Sequence, residues 1–173
     1  MTKIEISTHI LAPIDRCFDL ARCGEIFPIQ THLVHEDSNK KLNTNLLDVG
    51  QRINHNIRYF GIHFEIESVI TRCIKPYFFS DEMKVGPFHT FVHDHFFYSF
   101  PGETVMIDNV YFRSRWGVLG ETADTLLVKR NVFRFLKKKN QLIKKYAESD
   151  QWQYLIPMPV VALESHQILS FQA

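Results

Sequence analysis

Two histidines and an aspartate in the middle of the chain are the residues best suited to hold or move a proton. His93 and His95 stand two positions apart, and Asp108 follows a turn at Pro101 and Gly102. Side chains two positions apart in a strand share a face. With the turn centred on those two residues, positions whose numbers sum to about 203 face each other across the hairpin, which sets His95 opposite Asp108.

Three roles are open to this cluster. In a structural role, His95 and Asp108 satisfy each other and fix the strand register, since a buried carboxylate is costly unless it is paired. In a binding role, one of them forms a hydrogen bond to a hydroxyl or carbonyl group of an otherwise apolar ligand. In a catalytic role, His93 or His95 acts as general acid or base while Asp108 orients the ring.

A metal ion would be a fourth use of the same residues. His93 and His95 could both reach one ion, with Asp108 or His63 as the third ligand. The spacing is not diagnostic of a metal, and the three cysteines match no zinc motif. The sequence also contains no glycine-rich phosphate loop, dinucleotide fingerprint or nucleophile motif. It therefore predicts no bound metal and no cofactor.

Large apolar side chains share the face of these polar residues. Phe91 and Phe97 alternate with the histidines, and Met106 and Phe112 alternate with Asp108 on the partner strand. A pocket that is mostly apolar with a few polar groups is the usual form of a small-molecule site. These four residues would be its walls, although the 15 phenylalanines of the chain could equally fill such a cavity.

The strands that must position these residues are predicted from alternation and from turn residues. They span residues 4–10, 49–60, 62–74, 77–85, 88–100 and 104–115, with a turn at Gly61. A short helix begins after Pro13, with a further helical turn within residues 25–30. We find no internal repeat and no linker, so residues 1–149 are predicted to form one domain and residues 150–173 a tail.

A long helix is predicted over roughly residues 119–148. The stripe expected to face the sheet consists of Leu119, Ala123, Leu126, Phe133 and Leu136. Arg130 falls on that stripe, where it would either extend its charged end to solvent or anchor a ligand carboxylate or phosphate. A second apolar line consists of Val128, Phe135, Leu142 and Tyr146. The tail or a partner subunit, as in a homodimer, is predicted to cover that line.

Charge and hydropathy exclude several classes of partner. With 20 basic and 19 acidic residues, the chain has no positive field to attract nucleic acid. Its apolar stretches are shorter than the roughly 18 residues of a membrane span. The first residues run straight into a strand pattern rather than a signal peptide. We therefore expect a cytoplasmic protein with no nucleic-acid partner and no membrane span.

A family resemblance rests on residues between positions 76 and 120. They are the run Pro76-Tyr77-Phe78-Phe79-Ser80-Asp81, then Gly86-Pro87-Phe88, the alternating Phe91, His93, His95 and Phe97, the alternating Thr104, Met106, Asp108 and Val110, and the exit Gly117-Val118-Leu119-Gly120. With the order of elements, this run resembles the START-like superfamily, also called SRPBCC or Bet v 1-like, and its small bacterial cyclase/dehydrase-like group. The resemblance covers about residues 3–147 and leaves out the tail.

The resemblance implies an α+β helix-grip fold. In that fold a curved antiparallel sheet, expected here to have about six or seven strands, wraps a long C-terminal helix and encloses a cavity. Members include lipid and hormone binders and polyketide aromatase/cyclases, so the fold alone does not settle the function. We expect a small, mainly apolar or aromatic ligand in the cavity. The alternatives are a cofactor-independent cyclase, dehydratase or isomerase acting there, and a protein-interaction module whose cavity is filled.

Overall fold

A computed structural model of the chain describes residues 1–24, 26, 46–59, 62–114 and 123–156. Its elements are β1 (Thr2–Ile10), α1 (Ile14–Ala21), β2 (Arg52–Tyr59), β3 (Ile62–Ile74), β4 (Phe78–Val85), β5 (Phe88–Phe100), β6 (Glu103–Ser114), the long helix α2 (Ala123–Ala147) and a 3-10 helix (Asp150–Tyr154). The six predicted strands are confirmed, except that β2 begins at Arg52 and not at residue 49, because Val49 and Gly50 lie in a turn. The turn at Gly61 and most of the helical turn predicted within residues 25–30 lie outside the described residues.

The described strands form one antiparallel sheet in the order β1-β6-β5-β4-β3-β2. The hairpin between β5 and β6 turns at Pro101 and Gly102, where Gly102 has a φ of 80° that glycine adopts without strain. His95 stands opposite Asp108, so the predicted register is confirmed. The long helix and the open antiparallel sheet give the α+β helix-grip architecture.

One face of the sheet is buried under α1 and α2. On β6 every second residue from Thr104 to Phe112 is buried, as a strand of period two requires. On β5 the register shifts between Phe88 and Thr90. Strict alternation along this strand predicts that His89 shares the face of Phe91, His93, His95 and Phe97. The bulge instead buries Phe88 and exposes His89, so that prediction was wrong for His89.

The buried residues form two apolar clusters. Members of the first apolar cluster include Ile10, Phe18, Phe79, Phe97, Met106, Ile143, Ala147 and Leu155. The second apolar cluster consists of Ile4, Ile6, Phe88, Val110, Phe112, Val132 and Leu136, with Met83, Phe91, Val128 and Phe135 half-buried against it. Strands β1, β5 and β6 and helix α2 each contribute residues to both clusters. On each of these elements, inward-facing residues that lie between the two clusters are therefore also in the interior.

The buried face of α2 differs from the predicted stripe. It consists of Val132, Leu136, Asn140, Ile143 and Ala147, which follow one another at steps of three or four. Leu126 and Phe133 are 69% and 40% exposed, and Arg130 is exposed too, so their placement on a buried stripe was wrong. The side chains of Leu119 and Ala123 lie outside the described residues. The helix has apolar residues on several sides, and a polar residue, Asn140, sits at the centre of its buried face.

The first residues of the predicted tail pack against the domain. The 3-10 helix contacts α2, and Leu155 and Ile156 are 3% and 4% exposed. Residues 157–173 lie outside the described residues. Coverage of the second apolar line by the tail or by a partner subunit therefore stays a prediction, as does the boundary at residue 149.

The cysteines differ in access to solvent, which predicts their reactivity. Cys17 and Cys23 are buried thiols, whereas Cys73 is partly exposed. Burial raises the pKa of Cys17 to about 11, and the thiolate is the reactive form. We expect Ellman's reagent at pH 8 to modify one thiol per native chain quickly and the other two only on unfolding. Cys73→Ser should remove the fast phase; a fast phase that persists in this variant would contradict the assignment.

None of the helices in the described part of the chain is long and apolar enough to cross a bilayer.

Candidate functional site

A layer of polar side chains separates the two apolar clusters. It consists of Thr8, Asp81, His93, His95, Asp108 and Asn140. These polar residues come from β1, β4, β5, β6 and α2. Along each of these elements, residues of the first apolar cluster lie on one side of the polar residue or residues, and residues of the second apolar cluster lie on the other side. Buried polar groups are costly unless they are bonded to one another. The contacts within this layer, called the polar layer below, therefore determine what it can do.

Asp108 is the centre of the polar layer and is 0% exposed. Its Oδ1 accepts a hydrogen bond from Nε2 of His93 at 2.8 Å. Nδ1 of His95 lies 2.7 Å from the same oxygen but at an angle outside hydrogen-bond geometry, so that contact is electrostatic. Asn140 donates from Nδ2 to Asp108 Oδ2 at 2.6 Å and to Thr8 Oγ1 at 3.1 Å.

Asp81 brings a second carboxylate to the histidines from β4. Its Oδ2 lies 3.3 Å from Nε2 of His95 and 3.8 Å from Nδ1 of His93, the residue opposite it in the sheet. The side chain of Asp81 is 15% exposed, compared with 4% for His93 and 0% for His95. The polar layer thus has a closed end at Asp108 and an end at Asp81 that solvent reaches.

Ring contacts hold the two histidines in place. Their ring centroids are 3.7 Å apart, and Phe79 stacks on His95 at 4.1 Å with an angle of 18° between the rings. A ring packed on both sides has little rotational freedom. The nitrogen atoms of His95 are therefore fixed in direction by packing as well as by charge.

Burial and the charge of the histidines act in opposite directions on the pKa of the two carboxylates of the polar layer, and burial and the charge of His95 act in the same direction on the pKa of His93. Burial alone would raise the pKa of Asp108, but the charge of His95 and the hydrogen bond from His93 hold it well below its usual range. Asp81 shows the same balance: burial raises its pKa, and His95 and His93 lower it to a net value below the usual one. Burial lowers the pKa of His93, and the neighbouring His95 lowers it further. At neutral pH the polar layer therefore contains two carboxylates and a neutral His93.

Apart from His93, His95 and Asp108, which belong to the polar layer, the predicted ligand-binding residues fall into three groups. Phe97, Met106 and Phe112 are at most 1% exposed and pack inside the two apolar clusters. Phe91 is half-buried at the edge of the second cluster. Arg130 is exposed on α2 and does not lie with the others. The side chain of His63, considered as a metal ligand, lies outside the described residues.

Three members of the polar layer were not among the candidate residues from the sequence: Thr8, Asp81 and Asn140. The sequence did contain a signal for Asp81. In the hairpin of β4 and β5, which turns at Gly86 and Pro87, the numbers of paired residues sum to 174, and this rule sets Asp81 opposite His93. Asn140 gave no comparable signal. A polar residue on a helix usually faces solvent, and only its partners Thr8 and Asp108 show that it faces inward.

The polar layer opens on the side of Asp81. Helix α2 makes most of its sheet contacts with β1, at the other edge of the sheet. Around Asp81, the inner faces of β4 and β5 present half-buried apolar side chains, Met83 and Phe91. Val128 and Phe135 of α2 are half-buried against the same cluster. We call Asp81, Met83, Phe91, Val128 and Phe135 the open edge.

The fold identifies the class of known structures to which the chain is similar. A START superfamily protein from Mycobacterium smegmatis superimposes with a TM-score of 0.62 at 10% identity, over 84% of this chain and 97% of that one. The chain has the START-like helix-grip fold. The ginseng major latex-like protein 151 from Panax ginseng matches with a TM-score of 0.62 at 12% identity, over 86% and 98% of the two chains.

A third similar structure belongs to a protein of a biosynthetic pathway. The di-domain ARO/CYC StfQ from the steffimycin pathway matches with a TM-score of 0.63 at 13% identity, over 84% of this chain and 50% of its own length. No protein-family model matches the sequence, and no curated protein matches it. The START-like fold is thus established by structure, while function must be argued from the residues of the polar layer and the open edge.

Proposed function

We propose that this START-like protein binds one small, mainly apolar or aromatic molecule between the sheet and α2, at the open edge. The observation that supports this proposal is that half-buried apolar side chains and a partly exposed carboxylate lie on the same side of the polar layer. Half-buried Met83, Phe91 and Phe135 lie on the side of the polar layer where Asp81 is 15% exposed. Apolar walls with one or two polar groups are the usual composition of a small-molecule site.

The apolar and polar residues of this site have different roles in binding. Phe91 and Phe135 offer flat apolar surface, and an aromatic ring buries a large area at a low cost in side-chain entropy. Asp81 accepts a hydrogen bond from a ligand hydroxyl or amine, and His93, 4% exposed behind it, is the next group inward. Phe97, Met106 and Phe112 act indirectly, since their packing fixes the strands that carry Phe91 and His93.

Native mass spectrometry with a fluorescent apolar probe tests this function. We expect a small molecule that leaves on denaturation, or one-to-one binding of 8-anilino-1-naphthalenesulfonate by the emptied protein. Phe91→Ala should weaken probe affinity by at least about tenfold, which corresponds to 1.4 kcal/mol. Phe100→Ala, on the same strand and 52% exposed, should leave it unchanged. If neither adduct nor stoichiometric probe binding is found, or if both variants bind equally, the proposal fails.

The polar layer supports a second candidate, acid/base catalysis in the same place. His93 is neutral and oriented by a buried carboxylate through Nε2, which leaves Nδ1 on the side of Asp81. A dehydratase, cyclase or isomerase needs such a base and no cofactor. If the protein is such an enzyme, the molecule co-purified with His93→Gln is the substrate and differs in mass or retention from that of the wild type. Identical bound molecules in both proteins would favour binding alone.

A further inference from the structure

Donor atoms of three residues converge at the outer end of the polar layer. Asp81, His93 and His95 each offer one ligand atom, and these atoms lie within 4.8 Å of one another. Asp81 Oδ2 is 3.3 Å from His95 Nε2 and 3.8 Å from His93 Nδ1. Ligand atoms bound to one tetrahedral ion at about 2.0–2.2 Å stand roughly 3.3–3.6 Å apart. Small side-chain movements would bring these atoms to bonding distance from one ion.

One ring nitrogen of each histidine points at this position. His93 donates through Nε2 to Asp108, so a neutral ring carries its lone pair on Nδ1, which faces Asp81. Nε2 of His95 is hydrogen-bonded to Asp81 Oδ2 at 3.3 Å, while its Nδ1 has no hydrogen-bond partner and stands 2.7 Å from Asp108 Oδ1. The tautomer of His95 with its hydrogen on Nδ1 would direct that hydrogen at Asp108 and its Nε2 lone pair at Asp81. An ion between Asp81 and the two rings would then take the place of the hydrogen bond between His95 and Asp81.

The charge of the polar layer favours the same position. Asp81 and Asp108 bring two carboxylates into the interior, where their ion pairs within the described residues are with His93 and His95; the charge of Lys139 also acts on Asp81. Buried charge is costly unless it is compensated. A divalent cation bound at this position would balance the charge of both carboxylates. Asp81, which is 15% exposed, offers the route by which an ion could enter.

The surroundings of the histidines have the form that metal sites require. A ligating histidine normally donates its other N–H to a carboxylate, which fixes its orientation. Asp108 has that place behind His93 and lies against the far nitrogen of His95. Asn140 holds the other oxygen of Asp108, and Phe79 stacks on the ring of His95. Asp108, Asn140 and Phe79 therefore hold the two histidines in the orientation that an ion would need.

We propose that Asp81, His93 and His95 bind one divalent transition-metal ion, of the zinc or ferrous class. Two imidazoles and one carboxylate are a donor set typical of such ions, and three protein ligands leave a position open. That position would lie towards the open edge, where a water molecule or an oxygen atom of a bound molecule could occupy it. No metal was predicted from the sequence because the spacing of the histidines is not diagnostic; the third ligands considered were Asp108 and His63, and Asp81, on the side opposite Asp108, was not among them. This inference does not depend on the proposed small-molecule function.

Metal titration of the EDTA-treated protein tests the proposal. We expect one Zn²⁺ per chain by calorimetry, and one Co²⁺ per chain with the visible absorption of a low-symmetry site. Asp81→Asn, nearly isosteric and partly exposed, should weaken Zn²⁺ binding by at least about tenfold, and His93→Gln by at least as much. The control His89→Gln removes an exposed histidine of the same strand and should change the affinity by less than about twofold.

Circular dichroism of each metal-free variant shows whether it is folded before titration. If His93→Gln is unfolded, the comparison of Asp81→Asn with His89→Gln decides alone. A wild-type protein without a one-to-one isotherm for either ion would overturn the proposal. So would equal affinity in Asp81→Asn and His89→Gln, because the ion would then be bound elsewhere on the surface.

Discussion

Replacement of Asp108 by Ala should lower the free energy of unfolding by about 3–5 kcal/mol. The variant leaves Nε2 of His93 and one of the two N–H groups of Asn140 Nδ2 buried without their acceptor, and each buried unsatisfied donor costs about 1–3 kcal/mol. It also leaves the two adjacent histidines without their innermost anion. Urea denaturation in EDTA-containing buffer, followed by circular dichroism, measures the change.

A matched control lies on the neighbouring strand. Asp94 is on the opposite face of β5, paired in register with Asn109, and its partner Arg72 is 62% exposed. Asp94→Ala should cost no more than about 1 kcal/mol, as is usual for surface ion pairs. Asp108→Asn, which keeps one oxygen acceptor, should fall between the two. A cost for Asp108→Ala equal to that of Asp94→Ala would mean that the polar layer does not stabilise the fold.

Phe97→Ala should destabilise the protein by about 3–5 kcal/mol, the usual cost of truncating a fully buried phenylalanine. Phe97 is 1% exposed; its ring meets Phe18 edge-on at 5.3 Å and stacks with Phe79 at 6.1 Å. Removal of the ring would leave a gap that the hydrogen-bonded strands of the sheet cannot fill by small movements. Thermal and urea unfolding, compared at one pH, measure the loss.

Phe100→Ala is the control for this second prediction, since Phe100 is on the same strand and 52% exposed. Its cost should be within about 0.5 kcal/mol. The pair also tests the role that the sequence analysis assigned to Phe97. If Phe97→Ala were nearly neutral in stability but lowered affinity for the apolar probe, Phe97 would line the binding site rather than fill the core.

The hairpin that carries His93, His95 and Asp108 was predictable because two simple rules suffice for it. Period-two alternation identifies β5 and β6, and the Pro101-Gly102 turn fixes their register. The bulge after Phe88 was not predictable, since nothing in the sequence shows where a strand inserts an extra residue. It affected only His89, at the strand end, and left the face of the two histidines as predicted.

The long helix was harder to interpret, for a physical reason. Apolar residues occur on several of its sides, so hydrophobic periodicity alone allows more than one buried face. Leu126 and Phe133 are exposed, while the polar Asn140 lies inward. The buried face depends on a contact across the sequence, Asn140 with Asp108, and no local pattern contains that information.

Asn140 also fixes the position of α2 along the sheet. Apolar side chains bury themselves almost equally well if a helix slides by one turn, about 5.4 Å, because the hydrophobic effect has no direction. The amide of Asn140 has no such freedom: one turn away, Leu136 or Lys144 would stand near Asp108 in its place. The polar layer thus opposes translation of the helix along the sheet. It thereby also fixes the position of Phe135 relative to the other residues of the open edge.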